Sequence, residues 1–264
     1  MKRTIAFLLV VGAALAAEAH EFWMKPQKFY FALGEEVKLD LMVGENFQGE
    51  FWDMTRHQVV KLELFNSFGK QDLTKQVKPT KGKNVALKLA AEGTHLFALE
   101  SNAAFIELEA EKFNDYLRAD GLDNILQRRT DRAELAQPAR EHYTRYAKLI
   151  VQSGAKPDEV YKRRVGLKHE IIPLNNPATL KSGDYMECRV LFGNEPAKHQ
   201  LVKVWNFIGN RIFLQNIYTE NDGTLKFPIS NSGPWMVSTV RMEVSESLQA
   251  DYESSWASLV FGIQ

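Results

Sequence analysis

The 264-residue chain has one cysteine, Cys188. A lone thiol closes no internal disulfide, so the fold must rest on its core. There is no excess of charge of either sign: 33 basic residues face 33 acidic ones. That balance offers no electrostatic footprint for nucleic acid or an anionic membrane surface. No Gly-rich phosphate loop, no G-x-S-x-G elbow and no H-E-x-x-H pair is present, which removes the commonest nucleotide, serine-hydrolase and zinc-protease signatures. There is no low-complexity tract and no close internal repeat. Beyond the first twenty residues, no apolar run nears the ~20 residues of a membrane span.

The N-terminus is what the rest of the chain is not. Lys2 and Arg3 precede an uncharged apolar run, Ile5 to Ala17, and Ala17-Glu18-Ala19 follows. A basic start, a short apolar stretch and a small-x-small site are the three parts of a secretory signal peptide. Residues 1–19 are therefore expected to be removed, leaving a periplasmic chain that begins at His20, with no membrane insertion after cleavage. No cysteine follows the site, so no lipid anchor is expected.

The remainder is expected to be mainly β: two Ig-like, Greek-key sandwiches joined by a helical insert. Over 20–105, Val37, Leu39, Leu41 and Val43 alternate with other residues, as do Leu62 and Leu64, and Val85, Leu87 and Leu89. Period 2 over short runs is the strand signature. Over 106–160 the spacing becomes helical. Phe113, Tyr116 and Leu117 form one face before Gly121. A second helix is expected behind Pro138, with Tyr143, Tyr146, Ala147 and Ile150 on its face. Arg128–Arg132 between them reads as a solvated run. Over 161–264 strands return, with Glu220-Asn-Asp-Gly223 as a hairpin turn. Cys188 shares a strand face with Met186 and Val190 and reads as a small buried apolar residue. Trp235 and Trp256 read as sandwich core.

Chemistry concentrates at His20. Once freed, its α-amine and its imidazole Nδ1 offer one metal ion two nitrogen donors, a set suited to Cu(II) and Ni(II), with Co and Zn also possible. Both donors titrate near neutral pH, so a metal can displace their protons there. His95 is the best second histidine, on a strand face with Phe97 and Leu99; a core histidine is the competing reading. His142 reads as exposed helix surface, and His57, His169 and His199 lie in polar, loop-like surroundings. No two histidines have ligand spacing, so a site must be assembled from distant parts of the chain. Glu21, Glu45 and Glu107, near strand ends, are carboxylates that could complete a mixed nitrogen and oxygen shell; a solvated carboxylate is the competing reading for each.

Several stretches together resemble a known family: His20-Glu-Phe-Trp23, Val43-Gly-Glu-Asn-Phe-Gln-Gly-Glu50, Lys112 to Leu122, Arg140 to Lys148 and Glu253 to Phe261. The chain is similar, from His20 to its end, to a bacterial family of unknown function often labelled the periplasmic component of cobalt or nickel transport. The resemblance implies a mature N-terminal histidine, matched by His20, and marks Gly93-Thr-His95. It also implies histidine where this chain has Arg241, whose guanidinium cannot ligate, and often cysteine where Tyr146 stands. The expectation is a non-catalytic periplasmic protein that binds a divalent transition-metal ion (nickel, cobalt or copper) through His20 and His95 and supports uptake or sequestration. The partner would be a membrane metal-uptake system. Two other readings stay open: a metal-free interaction module, and a copper enzyme with an N-terminal histidine brace.

Overall fold

The computed structural model describes residues 20–264; the expected signal peptide, residues 1–19, lies outside them. Nine strands come first: β1 (Glu21–Pro26), β2 (Tyr30–Phe31), β3 (Glu36–Glu45), β4 (Gln48–Phe51), β5 (Val59–Asn66), β6 (Gly69–Asp72), β7 (Val85–Lys88), β8 (Gly93–Ser101) and β9 (Ala104–Leu108). Two short helices follow, α1 (Ala110–Ala119) and α2 (Asp123–Asp131). The rest is β10 (Ala139–Ser153), β11 (His169–Pro173), β12 (Tyr185–Phe192), β13 (Glu195–Pro196), β14 (Leu201–Ile208), β15 (Arg211–Tyr218), β16 (Thr224–Pro228), β17 (Gly233–Val244) and β18 (Tyr252–Ile263). The protein is mainly β, with helices between its two β parts, as expected.

The strands form three sheets. The large one runs β15-β14-β17-β18-β10-β8-β5-β6, with β2 and β9 also on β10. A small sheet of β1, β3, β4 and β7 covers one face, and another of β11, β12, β13 and β16 covers the opposite face. Alternation along the central strands shows the two faces directly. Ala147, Leu149 and Val151 of β10, Phe97 of β8 and Val260 of β18 join the first core. Tyr146 and Ile150 of β10, Leu96 of β8 and Leu259 of β18 join the second, with Met186, Cys188 and Val190. Cys188 is fully buried as expected, and burial pushes its thiol up to about 12.

The second expected helix is instead β10, the strand that ties the molecule together. It pairs in parallel with β18 over Glu141–Leu149 and antiparallel with β9 and β8. The correction has a physical cause. A strand buried on both faces loses its polar alternation and reads as a nearly continuous apolar run. Tyr143, Tyr146, Ala147 and Ile150 then imitate helical spacing while lying on opposite sides of a sheet. Pro138 precedes that strand rather than opening a helix.

Two smaller expectations also change. Glu220–Gly223 is a tight turn, with the Gly223 amide donating to the Glu220 carbonyl at 2.9 Å, but it links strands of different sheets: β15 pairs with β14, β16 with β12. The Arg128–Arg132 run is the C-terminal part of α2, and Arg129 is buried. Its guanidinium donates to Asn114 Oδ1 and to the carbonyls of Glu134 and Gln137, and it lies 5.0 Å over the Phe113 ring. Three of its five donors are thereby met by protein. The expected helix face of Phe113, Tyr116 and Leu117 is indeed the buried face of α1.

Candidate functional site: a polar cleft beneath His20

The start of β1, the tip of the β3–β4 hairpin, α1 and β14 enclose a cleft of about 300 Å³. The hairpin tip is tight because Gly44 and Gly49 face each other in register, where a Cβ on either would overlap the opposite backbone. This leaves Asn46 and Phe47 as a two-residue turn with φ of 54° and 55°, the geometry of hairpins whose twist matches their strands. The turn delivers Glu45 to His20: Oε1 lies 3.4 Å from the imidazole Nδ1, within ion-pair reach but outside hydrogen-bond geometry.

Below them the cleft is crowded with ionisable groups. Lys203 of β14 places its Nζ 2.6 Å from Asp120 Oδ1 and 3.8 Å from Glu21 Oε1. Burial raises the Glu21 carboxyl to about 7 and raises Asp120 too, although Lys203 opposes both shifts. Burial alone would lower the Lys203 ammonium, but the two carboxylates outweigh it and its pKa rises. One inner cation thus serves two carboxylates, with Asp115, Glu45 and Lys112 nearer the rim.

A second layer lies deeper. Glu141 of β10 is fully buried and accepts from the Tyr116 and Ser254 hydroxyls through Oε1, while Oε2 has no partner among the described residues. Burial raises it to about 7. Arg145, on the same face two pleats further along β10, is buried, with its guanidinium over the rings of Tyr143 at 4.7 Å and Phe22 at 5.8 Å. Burial lowers its pKa. A buried ionisable group costs free energy unless it is paired and hydrogen-bonded, so so many in one place mark a region not selected for stability alone.

The expected site residues separate. His20 and Glu45 meet, and Glu21 lines the same cleft. Glu107 pairs in register with Arg140 on the β9 side. His95 is fully buried, its Nδ1 3.3 Å from the Gly93 carbonyl oxygen and its Nε2 without a partner among the described residues; burial lowers its pKa. It sits beside Val151, whereas the cleft lies at the Glu141 end of β10. From Glu141 to Val151 an extended strand covers roughly 30 Å. The contacts of His20 and His95 thus lie in different places, and the structure does not bring the two together. His169, read as loop-like, is a buried strand residue: its Nδ1 is 2.8 Å from the Ser255 carbonyl oxygen, and burial lowers it to about 4. His57 stacks on Trp52, and Arg241 lies 4.5 Å over Phe192, both outside the cleft. Among the described residues, no group of three or more His, Cys, Asp or Glu is arranged to hold a metal ion.

Asp120, Lys203 and Glu141 were not singled out from the sequence, and Tyr116 was read only as part of the buried face of α1. Glu141 carried a faint signal, a carboxylate at the head of a long run that turns apolar. Lys203 in Leu201-Val-Lys-Val-Trp205 looks like an ordinary solvent-facing strand residue.

The family model described as a domain of unknown function (DUF4198) matches residues 17–243. Among curated proteins none matches the chain. The chicken interferon gamma receptor alpha chain is 8% identical over 84% of this chain and 88% of its own, at a TM-score of 0.20. A Salmonella alpha-2-macroglobulin mutant is 12% identical over 91% of this chain, which spans 14% of that protein, at 0.22. Three N-terminal domains of the bacteriophage RB49 outer capsid protein Hoc are 10% identical over 92% of this chain and 59% of theirs, at 0.19. Likenesses this weak carry no argument about function.

Proposed function

The chain belongs to the DUF4198 family of domains of unknown function, and we propose that it is an exported, non-catalytic carrier of a divalent transition-metal ion held at a mature N-terminal His20. The observation that carries this is the Glu45 carboxylate 3.4 Å from His20 Nδ1, at the mouth of an acidic cleft. Removal of residues 1–19 adds a free α-amine at the same place. Amine, imidazole and carboxylate make a mixed nitrogen and oxygen set that suits nickel, cobalt or copper. Glu21 and Asp120 share the one Lys203 cation, so they are committed to that ion pair, and the acidic excess of the cleft shapes the field that draws a cation in. Delivery to, or protection of, a membrane uptake system in the periplasm is the role that fits such a carrier.

The test is native mass spectrometry of the processed chain with Ni(II), Co(II), Cu(II) and Zn(II) in turn. The expected result is a chain starting at His20 that retains one ion. His20→Ala or acetylation of the amine abolishes retention, and Glu45→Gln weakens it by about tenfold. Retention that survives both losses at His20 sinks the site. A processed chain that retains no ion favours the metal-free interaction module.

A further inference from the structure

A second cavity continues the seam between β1 and β14. Glu21 and Lys203 line the polar cleft; further along the same faces, Trp23 and Lys25 of β1 and Phe207 of β14 line a cavity of about 640 Å³. Val260 and Met42 also line it, and the hairpin tip separates it from the cleft, with Asn46 on the polar side and Phe47 on the apolar side. The Phe47 ring stands 5.5 Å from Trp23 and 5.4 Å from Phe207. The second position of such a turn ordinarily takes glycine, so a bulky aromatic at φ 55° is an outlier held by those contacts.

The cavity opens to solvent over the buried Trp23, Met42 and Val260, and its volume lies within the range of sites for small ligands. Its charged lining is one-signed: two lysines and no carboxylate. Lys28 is paired with Glu35 at 2.5 Å, but Lys25 is exposed and has no ion-pair partner among the described residues. An apolar chamber with an uncommitted cation at its mouth complements one kind of molecule.

We propose that this cavity binds a free amphipathic anion, an aliphatic body with a single carboxylate, its chain against Trp23, Met42 and Phe207 and its carboxylate on Lys25. The site is separate from the one at His20 and needs no metal.

The test is isothermal titration of the processed, EDTA-treated chain with dodecanoate below its micelle concentration and at low ionic strength. The expected result is one saturable site per chain. Lys25→Glu, an exposed change that leaves the core intact, weakens binding by about tenfold or more, and dodecyltrimethylammonium binds weaker than dodecanoate by a similar factor. Dodecanoate brominated at its tail quenches tryptophan emission, and Trp23→Phe removes most of that quenching. A folded chain with no saturable binding overturns the proposal, as does binding that ignores both Lys25→Glu and the sign of the head group. Because metal is absent throughout, either outcome is independent of His20.

Discussion

The two cavities share their walls and differ in almost everything else. β1 gives Glu21 to one and Trp23 to the other, and β14 gives Lys203 to one and Phe207 to the other. A strand repeats its side-chain direction every second residue, so moving along the same seam, two positions on β1 and four on β14, changes a buried ion network into a largely apolar cavity with no change of backbone. Inside the polar cleft, acids outnumber the one inner cation; at the apolar cavity, the charges are all cationic and stay at the mouth. The fold supplies the seam, and a single alternating register supplies both chemistries. The polar half therefore carries the larger energetic risk, and changes there should cost most.

The largest effect is expected at Lys203. Lys203→Met leaves Glu21 and Asp120 facing each other with no cation, and losing one partner of a buried ion pair costs about 3–5 kcal/mol. Urea denaturation at neutral pH measures it. Adding Asp120→Asn should recover part of the loss, since one unpaired carboxylate is then gone. Dodecanoate binding by the folded fraction should be unchanged; a loss of binding would show that the cavities are coupled through β14 rather than merely adjacent.

That contrast also explains what could be read in advance. The strands of the first part were legible because β3, with one face in the core, alternates between buried and less buried residues from Glu36 to Leu41. β10 was not, because both its faces are covered, and a sheet buried on two sides erases the period that identifies a strand. His20 was singled out from the expected cleavage and Glu45 from its place at a strand end, and the structure brings their side chains to 3.4 Å. Asp120, Lys203 and Glu141 were invisible because each is an ordinary charged residue locally and becomes unusual only when α1 and β14 close over it. His95 was placed correctly on its strand face, but only the register of β8 on β10 shows how far it lies from His20.

A middle-sized effect is expected in pH dependence. Glu141 titrates near 7 in the folded protein against 4.5 as its ordinary value. Between those values the folded chain holds a proton at Glu141 that the unfolded chain has lost, so the contribution of this group to stability falls as pH rises from 4.5 to about 7 and then levels, against the opposite slope of the buried His169. Glu141→Gln removes that dependence at one group, and stability above pH 7 should rise by roughly 3 kcal/mol relative to the parent. Glu21, raised likewise to about 7, keeps part of the slope. Thermal melts from pH 4 to pH 8 read both parts; an unchanged slope would show that Glu141 is ionised in the folded state with solvent help.

The smallest effect is expected at the partition itself, where two contributions oppose each other. Phe47→Gly frees a left-handed turn position that costs a bulky residue about 1–3 kcal/mol. It also deletes a ring packed between Trp23 and Phe207, and an aromatic ring lost from a full core costs about 3–5 kcal/mol. Because one side of this ring borders open cavity rather than packed core, its loss should fall at the low end, leaving a net destabilisation of about 1 kcal/mol. A shift in melting temperature reads the balance, and Phe47→Leu, which keeps the strained backbone but loses the aromatic contacts, should be the worse of the two. Opening the partition should also let the two cavities communicate, so dodecanoate binding in Phe47→Gly should become sensitive to Lys203→Met where the parent is not. If Phe47→Gly is more stable than the parent and binding stays insensitive, the ring is strain without a wall, and the division between polar and apolar halves rests on the strands alone.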